Sequence, residues 1–360
     1  MRRTHKVIVI GLMLVVPCAA AAEPAAKVPA PVEAKRAQAA PLPQQKSAAA
    51  KTDTKKNSKK TAKKDTKPKI LARDLFGKAQ NAANLQARSI GWYAKGCLAG
   101  GVHLADAGPY WQTMRPSRNR AWGHPKLIAL LKRLGSESKK DGWSGLLVGD
   151  ISQPRGGPML SGHASHQVGL DADIWLTPMP DRVLSRRERE DISATSMLDK
   201  TKLSVDPKVF TPAHVALIKR AASYSSVERV FVHPAIKKAL CKAAGKDRAW
   251  LYKVRPIWGH YYHFHIRIGC PNGGCETQPG VRADDGCGAE LKGWLKNIEA
   301  SLKPKPKPPG PEKPYIPPSA RRQITMEQLP AECKVVLNSP ASAPPADEAM
   351  AATPTAATKK

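Results

Sequence analysis

Acidic residues are scarce in this 360-residue chain: 29 Asp and Glu stand against 59 Lys and Arg, a formal net charge of +30. So basic a protein is drawn to polyanions. Long apolar runs are lacking too. Val7–Val16 is too short to span a bilayer comfortably. It follows Arg2, Arg3 and Lys6 and precedes Ala20-Ala21-Ala22, which is the order of a secretory signal with the mature chain starting near Glu23. A membrane anchor is the rival reading of that run. No pair of cysteines has the tight C-x2-C spacing that thiolate zinc sites favour. The six cysteines left after the signal, Cys97, Cys241, Cys270, Cys275, Cys287 and Cys333, therefore read as three disulfides of an exported protein. No internal repeat is present.

Export removes nucleic acid as a partner and leaves the polyanions of the periplasm, the carboxylates of peptidoglycan and anionic membrane surfaces, for electrostatic contact. After the signal at 1–22, residues 23–69 hold 12 Lys and 1 Arg against 4 acids and almost no large apolar side chain. Such a segment buries too little surface to offset its ordering entropy and reads as a disordered linker. Residues 303–337 open on a Pro-rich extended stretch, KPKPKPPGPEKPYIPP, and 338–360 read as a low-complexity tail.

Between them lies one compositionally even block, 70–302. Pro125–Leu134 and Thr211–Ala222 have helical apolar spacing with Pro at the start, and Pro234–Cys241 is a third helix. Gly145–Ile151, Leu170–Leu176, Val227–Val232 and His260–Ile268 read as strands, the second half-buried and the last strictly alternating. Without a regular βαβ rhythm, the pattern predicts an α+β fold with a small, largely antiparallel sheet flanked by helices.

Five of ten histidines fall in two short segments, SGHASHQVGLDAD (161–173) and GHYYHFH (259–265). His263 and His265 share one face of a strand. His166 and Asp173 suit a loop running into a strand that returns the carboxylate beside the imidazole. Two His and one carboxylate with a fourth position open is a catalytic zinc pattern, and a further histidine can move protons or stabilise an oxyanion. A lone His on a strand is ordinarily a hydrogen-bonded core or surface residue, so the weight rests on His166, Asp173 and His265 together. Asp171 reads as a turn cap, His163 as either a fourth ligand or a neighbour of the metal, and His103, His124, His214 and His233 as ordinary.

These motifs resemble the peptidase superfamily of D-alanyl-D-alanine dipeptidases and lysostaphin-type enzymes, and more closely the penicillin-insensitive murein endopeptidase family. The resemblance runs over roughly 90–300 through GHPKLIALLKRL, LLVGDISQPRGGPMLSGHASHQVGLDADIW, RVFVHPAIKKALC and KVRPIWGHYYHFHIRIGCP. It implies zinc held by His166, Asp173 and His265 with His163 close by, His263 as the catalytic histidine, and His260 as a further active-site histidine. It also implies disulfides Cys97–Cys333, Cys241–Cys287 and Cys270–Cys275. The implied activity is hydrolysis of the D-alanyl-meso-diaminopimelyl cross-link of peptidoglycan without a serine for β-lactams to acylate. Some members carry an Asp and a His three residues apart for a second metal. Here Asp199 aligns but Lys202 stands at the other position, so no second metal is expected. The same zinc site would serve a D-alanyl-D-alanine carboxypeptidase, which releases free D-alanine, and a non-catalytic wall-binding protein is the remaining alternative. Stem peptides carry free carboxylates, which Arg binds as a fork. Among Arg115, Arg118, Arg120 and Arg155, the last is chosen as the substrate-binding residue because it lies in the Gly-rich run before His163. Deleting 23–69 is expected to leave turnover of small soluble muropeptides unchanged and to weaken binding to sacculi, most at low salt. A sedimentation assay across a salt series checks this, and unfolding of the remainder would refute it.

Overall fold

The computed structural model describes residues 70–271, 273–280, 284–304 and 324–345. The signal and linker expected at 1–69, the Pro-rich 305–323 and the tail from 346 lie outside the described residues. No described helix is long and apolar enough to cross a membrane.

Helix α1 (Ala72–Phe76) precedes a hairpin of strands β1 (Arg88–Trp92) and β2 (Lys95–Ala99). Strands β3 (Val102–His103), β4 (Ala107–Gly108), β5 (Trp111–Thr113) and β6 (Trp122–Gly123) lead to α2 (Pro125–Ser138). Then come β7 (Leu146–Val148), β8 (Asp171–Trp175), α3 (Arg186–Asp191), α4 (Pro212–Ser223), β9 (Val227–Val232), α5 (Pro234–Ala243), β10 (Val254–Pro256), β11 (His263–Ile268), α6 (Ala289–Leu302) and α7 (Glu332–Asn338). The main sheet is seven-stranded in the order β10-β9-β11-β8-β7-β5-β4. It is parallel at β10–β9 and β7–β5 and antiparallel elsewhere, an open α+β architecture as expected.

The helices start where the sequence signals them. Pro occupies the first turn of α2, α4 and α5. His124 and His233 cap α2 and α5 by accepting from the backbone N–H groups of Lys126 and Ala235, and Thr211 caps α4 together with His214. These histidines are therefore structural, as expected.

Strand phase divides the sheet into two faces. Ala172, Ile174, Phe264 and Ile266 enter the main core with Leu131 of α2 and Leu217 of α4. Asp171, Asp173, His263, His265 and Arg267 alternate with them and fall on the opposite face. The register pairs His265 with Asp173 and Arg267 with Asp171. Every residue of β8 is buried rather than half-buried, because β8 is interior to the sheet and residues 149–170 fold over its polar face. The last strand begins at His263, not His260: Gly259 (φ +71°) and His260 (φ +55°) form a left-handed turn before it.

All three disulfides pair as the resemblance implies, with Cα separations of 5.7, 5.9 and 5.7 Å. Cys97–Cys333 ties α7 to β2, within a small second core that includes Phe76, Ile90, Met326 and Val336. The ordered unit continues past the expected boundary at 338, since Ser342 N donates to Ala82 O (2.8 Å) and Asn84 N to Pro340 O (2.8 Å).

Arg155 corrects an expectation. Its guanidinium is buried and donates to the carbonyls of Val336 (2.8 Å), Leu337 (2.6 Å), Ser339 (2.8 Å) and Asn81 (3.2 Å). Through Nη1 it caps the C-terminus of α7, whose last carbonyls lack intrahelical partners, and it does not line the cleft beside the histidine cluster. Arg155→Ala is expected to lower stability by about 1.5–3 kcal/mol, the worth of charged hydrogen bonds to buried carbonyls. It should leave the KM of the folded enzyme unchanged. Thermal melting beside steady-state kinetics checks both, and a raised KM at unchanged melting temperature would return Arg155 to the substrate.

Candidate metal centre

Strand β8 supplies Asp173, β11 supplies His263 and His265, and the loop before β8 supplies His163 and His166. His166 has a positive φ of 68°, a costly conformation for a residue with a Cβ. Asp171 holds it there by accepting from the His166 backbone N–H at 3.0 Å, so the turn-capping expectation for Asp171 is met.

The outer nitrogens of two imidazoles are fixed by acceptors that can only accept. His166 Nδ1 lies 2.7 Å from the carbonyl of Ile151, and His265 Nε2 lies 2.8 Å from Asp171 Oδ1. Each must therefore carry its proton on that outer nitrogen when neutral. The inner nitrogens, His166 Nε2 and His265 Nδ1, then face each other with lone pairs 3.2 Å apart. Asp173 Oδ1 lies 3.5 Å from the first and 3.4 Å from the second. That oxygen is buried without a hydrogen-bond donor. Three lone pairs converging in a buried place repel one another unless a cation sits between them. Ligands about 2.0–2.1 Å from a tetrahedral ion are about 3.3 Å apart, so the trio fits a metal ion.

Other donors surround this trio. His163, His166 and Asp173 form one group that could hold a metal, and Asp173, His260 and His263 another, with ligand atoms within 4.8 Å of one another. His163 Nε2 is 2.9 Å from Asp150 Oδ2 and 3.5 Å from Asp173 Oδ2. His263 Nε2 is 3.5 Å from Asp173 Oδ2, and neither of its ring nitrogens has a hydrogen-bond partner. His260 gives Nδ1–H to the carbonyl of Trp258 at 2.9 Å, and its ring lies 4.6 Å from that of His263.

The electrostatics match a site that demands positive charge. Burial works against ionising Asp173, yet the facing imidazoles of His263, His166 and His163 hold its carboxyl well below the usual range. Burial opposes charge on Asp171 too, and Arg267 and His265 outweigh it. Burial also lowers His166, but the Asp173 and Asp171 carboxylates raise it above its ordinary value. Burial pushes His263 down to about 4 and His265 down to about 3.

The open side of the cluster is a cleft lined by Arg115, Arg118, Asp150, Trp175, Tyr261 and Tyr262 besides the site residues. The structure thus brings His163, His166, Asp173, His260, His263 and His265 together and takes Arg155 elsewhere. Asp199 serves its own turn, accepting from Thr201 N (3.0 Å) and Oγ1 (2.6 Å). Asp150 was missed by sequence reasoning. Its signal is a lone acid closing the apolar run GLLVGDI. Burial opposes its ionisation, but the hydrogen bond and charge of His163, with Arg120 and Arg118, hold its carboxyl well below the usual range.

A buried His/His/Asp cluster with lone pairs turned inward, and an unpaired histidine beside it on a cleft floor, is an arrangement that could hold a metal ion and support hydrolysis. The family described as penicillin-insensitive murein endopeptidase matches residues 89–338. The protein of that name from Haemophilus influenzae is 45% identical over 231 residues, covering 63% of this chain and 80% of the relative. Those from Pectobacterium atrosepticum and Yersinia enterocolitica are 41% and 40% identical, covering 70% and 65% of this chain and 84% of each relative. The chain belongs to the penicillin-insensitive murein endopeptidase family and is a peptidase.

Asp171 reaches the cluster only through its neighbours, taking Nε2–H of His265 and two N–H groups of Arg267 at 2.7 and 3.3 Å. Asp171→Asn turns an amide donor towards one of those donors and loosens the orientation of His265. Metal affinity is expected to fall about 10–100-fold, read by competition with a chromogenic chelator. Unchanged affinity would show that His265 is oriented by something else.

Proposed function

We propose that the chain is a zinc-dependent endopeptidase of the periplasm that hydrolyses D-alanyl-meso-diaminopimelyl cross-links of peptidoglycan. The observation that carries this reading is the inward convergence of His166 Nε2, His265 Nδ1 and the donor-free Asp173 Oδ1 across 3.2–3.5 Å. These three atoms are the proposed ligands, with His163 beside them. Two nitrogens and one carboxylate oxygen at tetrahedral spacing suit zinc with one position left open. When bound, zinc supplies Lewis acidity to the scissile carbonyl and to the attacking water.

The chain's own residues supply the rest. His263 is neutral through burial and has both ring nitrogens unengaged, so it can take the proton released as water attacks and return it to the leaving amine. His260 has Nδ1–H fixed by a carbonyl, which leaves Nε2 as an acceptor next to His263. Asp150 holds His163 against the cleft wall. None of these roles uses a serine, in keeping with insensitivity to penicillin in the relatives' names. The names of the relatives also set the place of action outside the cytoplasm, since murein lies there, and the basic sequence suits an anionic wall.

Ligand and catalyst are separable on one strand. His265→Ala is expected to lose bound zinc and activity together. His263→Ala should retain zinc and lose about 10²–10⁴-fold in kcat. Elemental analysis beside turnover of a cross-linked muropeptide reads both, with monomers rather than free D-alanine as product. Zinc lost from the His263 variant but kept by the His265 variant would reverse the roles. Full activity in both would end the zinc-peptidase reading.

A further inference from the structure

The cleft wall opposite β11 is built by a single 3-10 turn, Pro116–Arg118, and the structure gives this turn an unusual frame. The residues on either side, Arg115 (φ 61°, ψ 54°) and Asn119 (φ 50°, ψ 51°), are both left-handed although neither is glycine. Two such residues four positions apart persist only where the surroundings over-determine them. Here they do. Ser117 gives its backbone N–H and hydroxyl to the two oxygens of Glu190 at 2.9 and 2.7 Å. Asn119 accepts from the Trp122 indole at 2.6 Å and donates to the carbonyl of Gln80 at 2.9 Å.

The frame holds out arginines of different use. Arg120 is buried and committed, with Nη1 2.8 Å from Asp150 Oδ2 and Nη2 donating to Ser161. Arg115 lies over the Trp175 ring at 5.2 Å and donates to the carbonyls of Arg189 and Glu190. Arg118 is the exposed one of the three, and its partner is a carboxylate on the cleft rather than a backbone carbonyl. Its side chain is 46% exposed on the cleft, and only Nη1 is engaged, 3.2 Å from Asp150 Oδ2. Among the described residues, Nε and Nη2 donate to nothing. Asp150 also has closer partners in Arg120 and His163, at 2.8 and 2.9 Å. It holds one corner of the Arg118 guanidinium, and among the described residues the Nε/Nη2 edge of this cleft-lining side chain has no acceptor. That edge is the side by which arginine binds a carboxylate through two parallel hydrogen bonds. Three contacts of no more than 3.5 Å, Arg118–Asp150–His163–Asp173, join it to the proposed metal ligand.

The substrate class has a carboxylate next to the scissile bond. In a cross-link to diaminopimelate, the scissile amide nitrogen sits on a carbon that bears its own free carboxyl group. We infer that Arg118 binds this carboxylate, on the leaving-amine side of the scissile bond, and makes the enzyme selective for cross-links in which it is a free acid. The inference rests on the proposed function and adds the residue that reads the substrate's charge. Arg118 is a specificity residue here; it moves no proton.

The test uses the full zinc-loaded enzyme and two purified cross-linked dimers that differ only at this carboxyl, free acid in one and carboxamide in the other. The wild type is expected to cleave the acid with about 10–100-fold higher kcat/KM, the range for a charged, forked hydrogen bond. Arg118→Ala should lower kcat/KM on the acid by a similar factor, mainly through KM, and bring the two dimers level. Its zinc content and melting temperature should match the wild type. Arg118→Lys, charged but without the fork, should recover only part of the preference. Equal losses on both dimers would assign Arg118 to holding Asp150 and overturn the inference, as would no loss on either. If the wild type cleaves both dimers equally, the carboxylate reading alone fails. If it cleaves neither, the proposed function fails and takes this inference with it.

Discussion

Everything at the site depends on the antiparallel register of β8 against β11. Side chains along a strand alternate with a period of two, so this one alignment places Asp173 opposite His265 and Asp171 opposite Arg267 on a single face. A slip by one residue would carry two carboxylates and two imidazoles into a core now filled by Ile174, Phe264 and Ile266. The cost of burying unpaired charge there is far larger than any local preference. The apolar face thus specifies the register, and the register specifies the His/Asp cluster. Stability and chemistry are set by the same pairing.

The cluster is held by a layer of acceptors that the substrate never meets. Ile151 O and Asp171 fix the outer nitrogens of His166 and His265. Their effect is to decide which nitrogen keeps its proton, and therefore where the lone pairs go. His263 lacks any such partner. Two histidines on one strand, two residues apart, consequently differ in their surroundings: His265 has its outer nitrogen fixed, and His263 has neither nitrogen engaged.

Much of this was legible in the residues, for a physical reason. The alternation of His263–Ile268 states a strand period, and the period alone puts His263 and His265 on one face. Pro after a capping residue marks the starts of α2, α4 and α5. The failures share a different cause. Arg155 was chosen for its closeness in sequence to His163, but Gly156 and Gly157 follow it with φ of 64° and 75°. They turn the chain so that the guanidinium leaves towards α7. Left-handed geometry also hides the true start of β11, because nothing in the composition of Gly259-His260 announces it. Asp150 depends on the fold of 149–170 over the sheet, which no periodicity encodes. The disulfide partners came from resemblance; six cysteines in one chain do not name their own pairs.

The bond between Cys97 and Cys333 spans 236 residues of sequence and joins β2 to α7. It makes the polypeptide a closed covalent ring over that interval. A protease that cut the chain once anywhere between residues 304 and 324 would open the ring without dividing the molecule. The C-terminal helix, with its carbonyls on Arg155, would stay on the catalytic domain as a tethered second chain. Such a nick would be invisible to gel filtration and would show only after reduction.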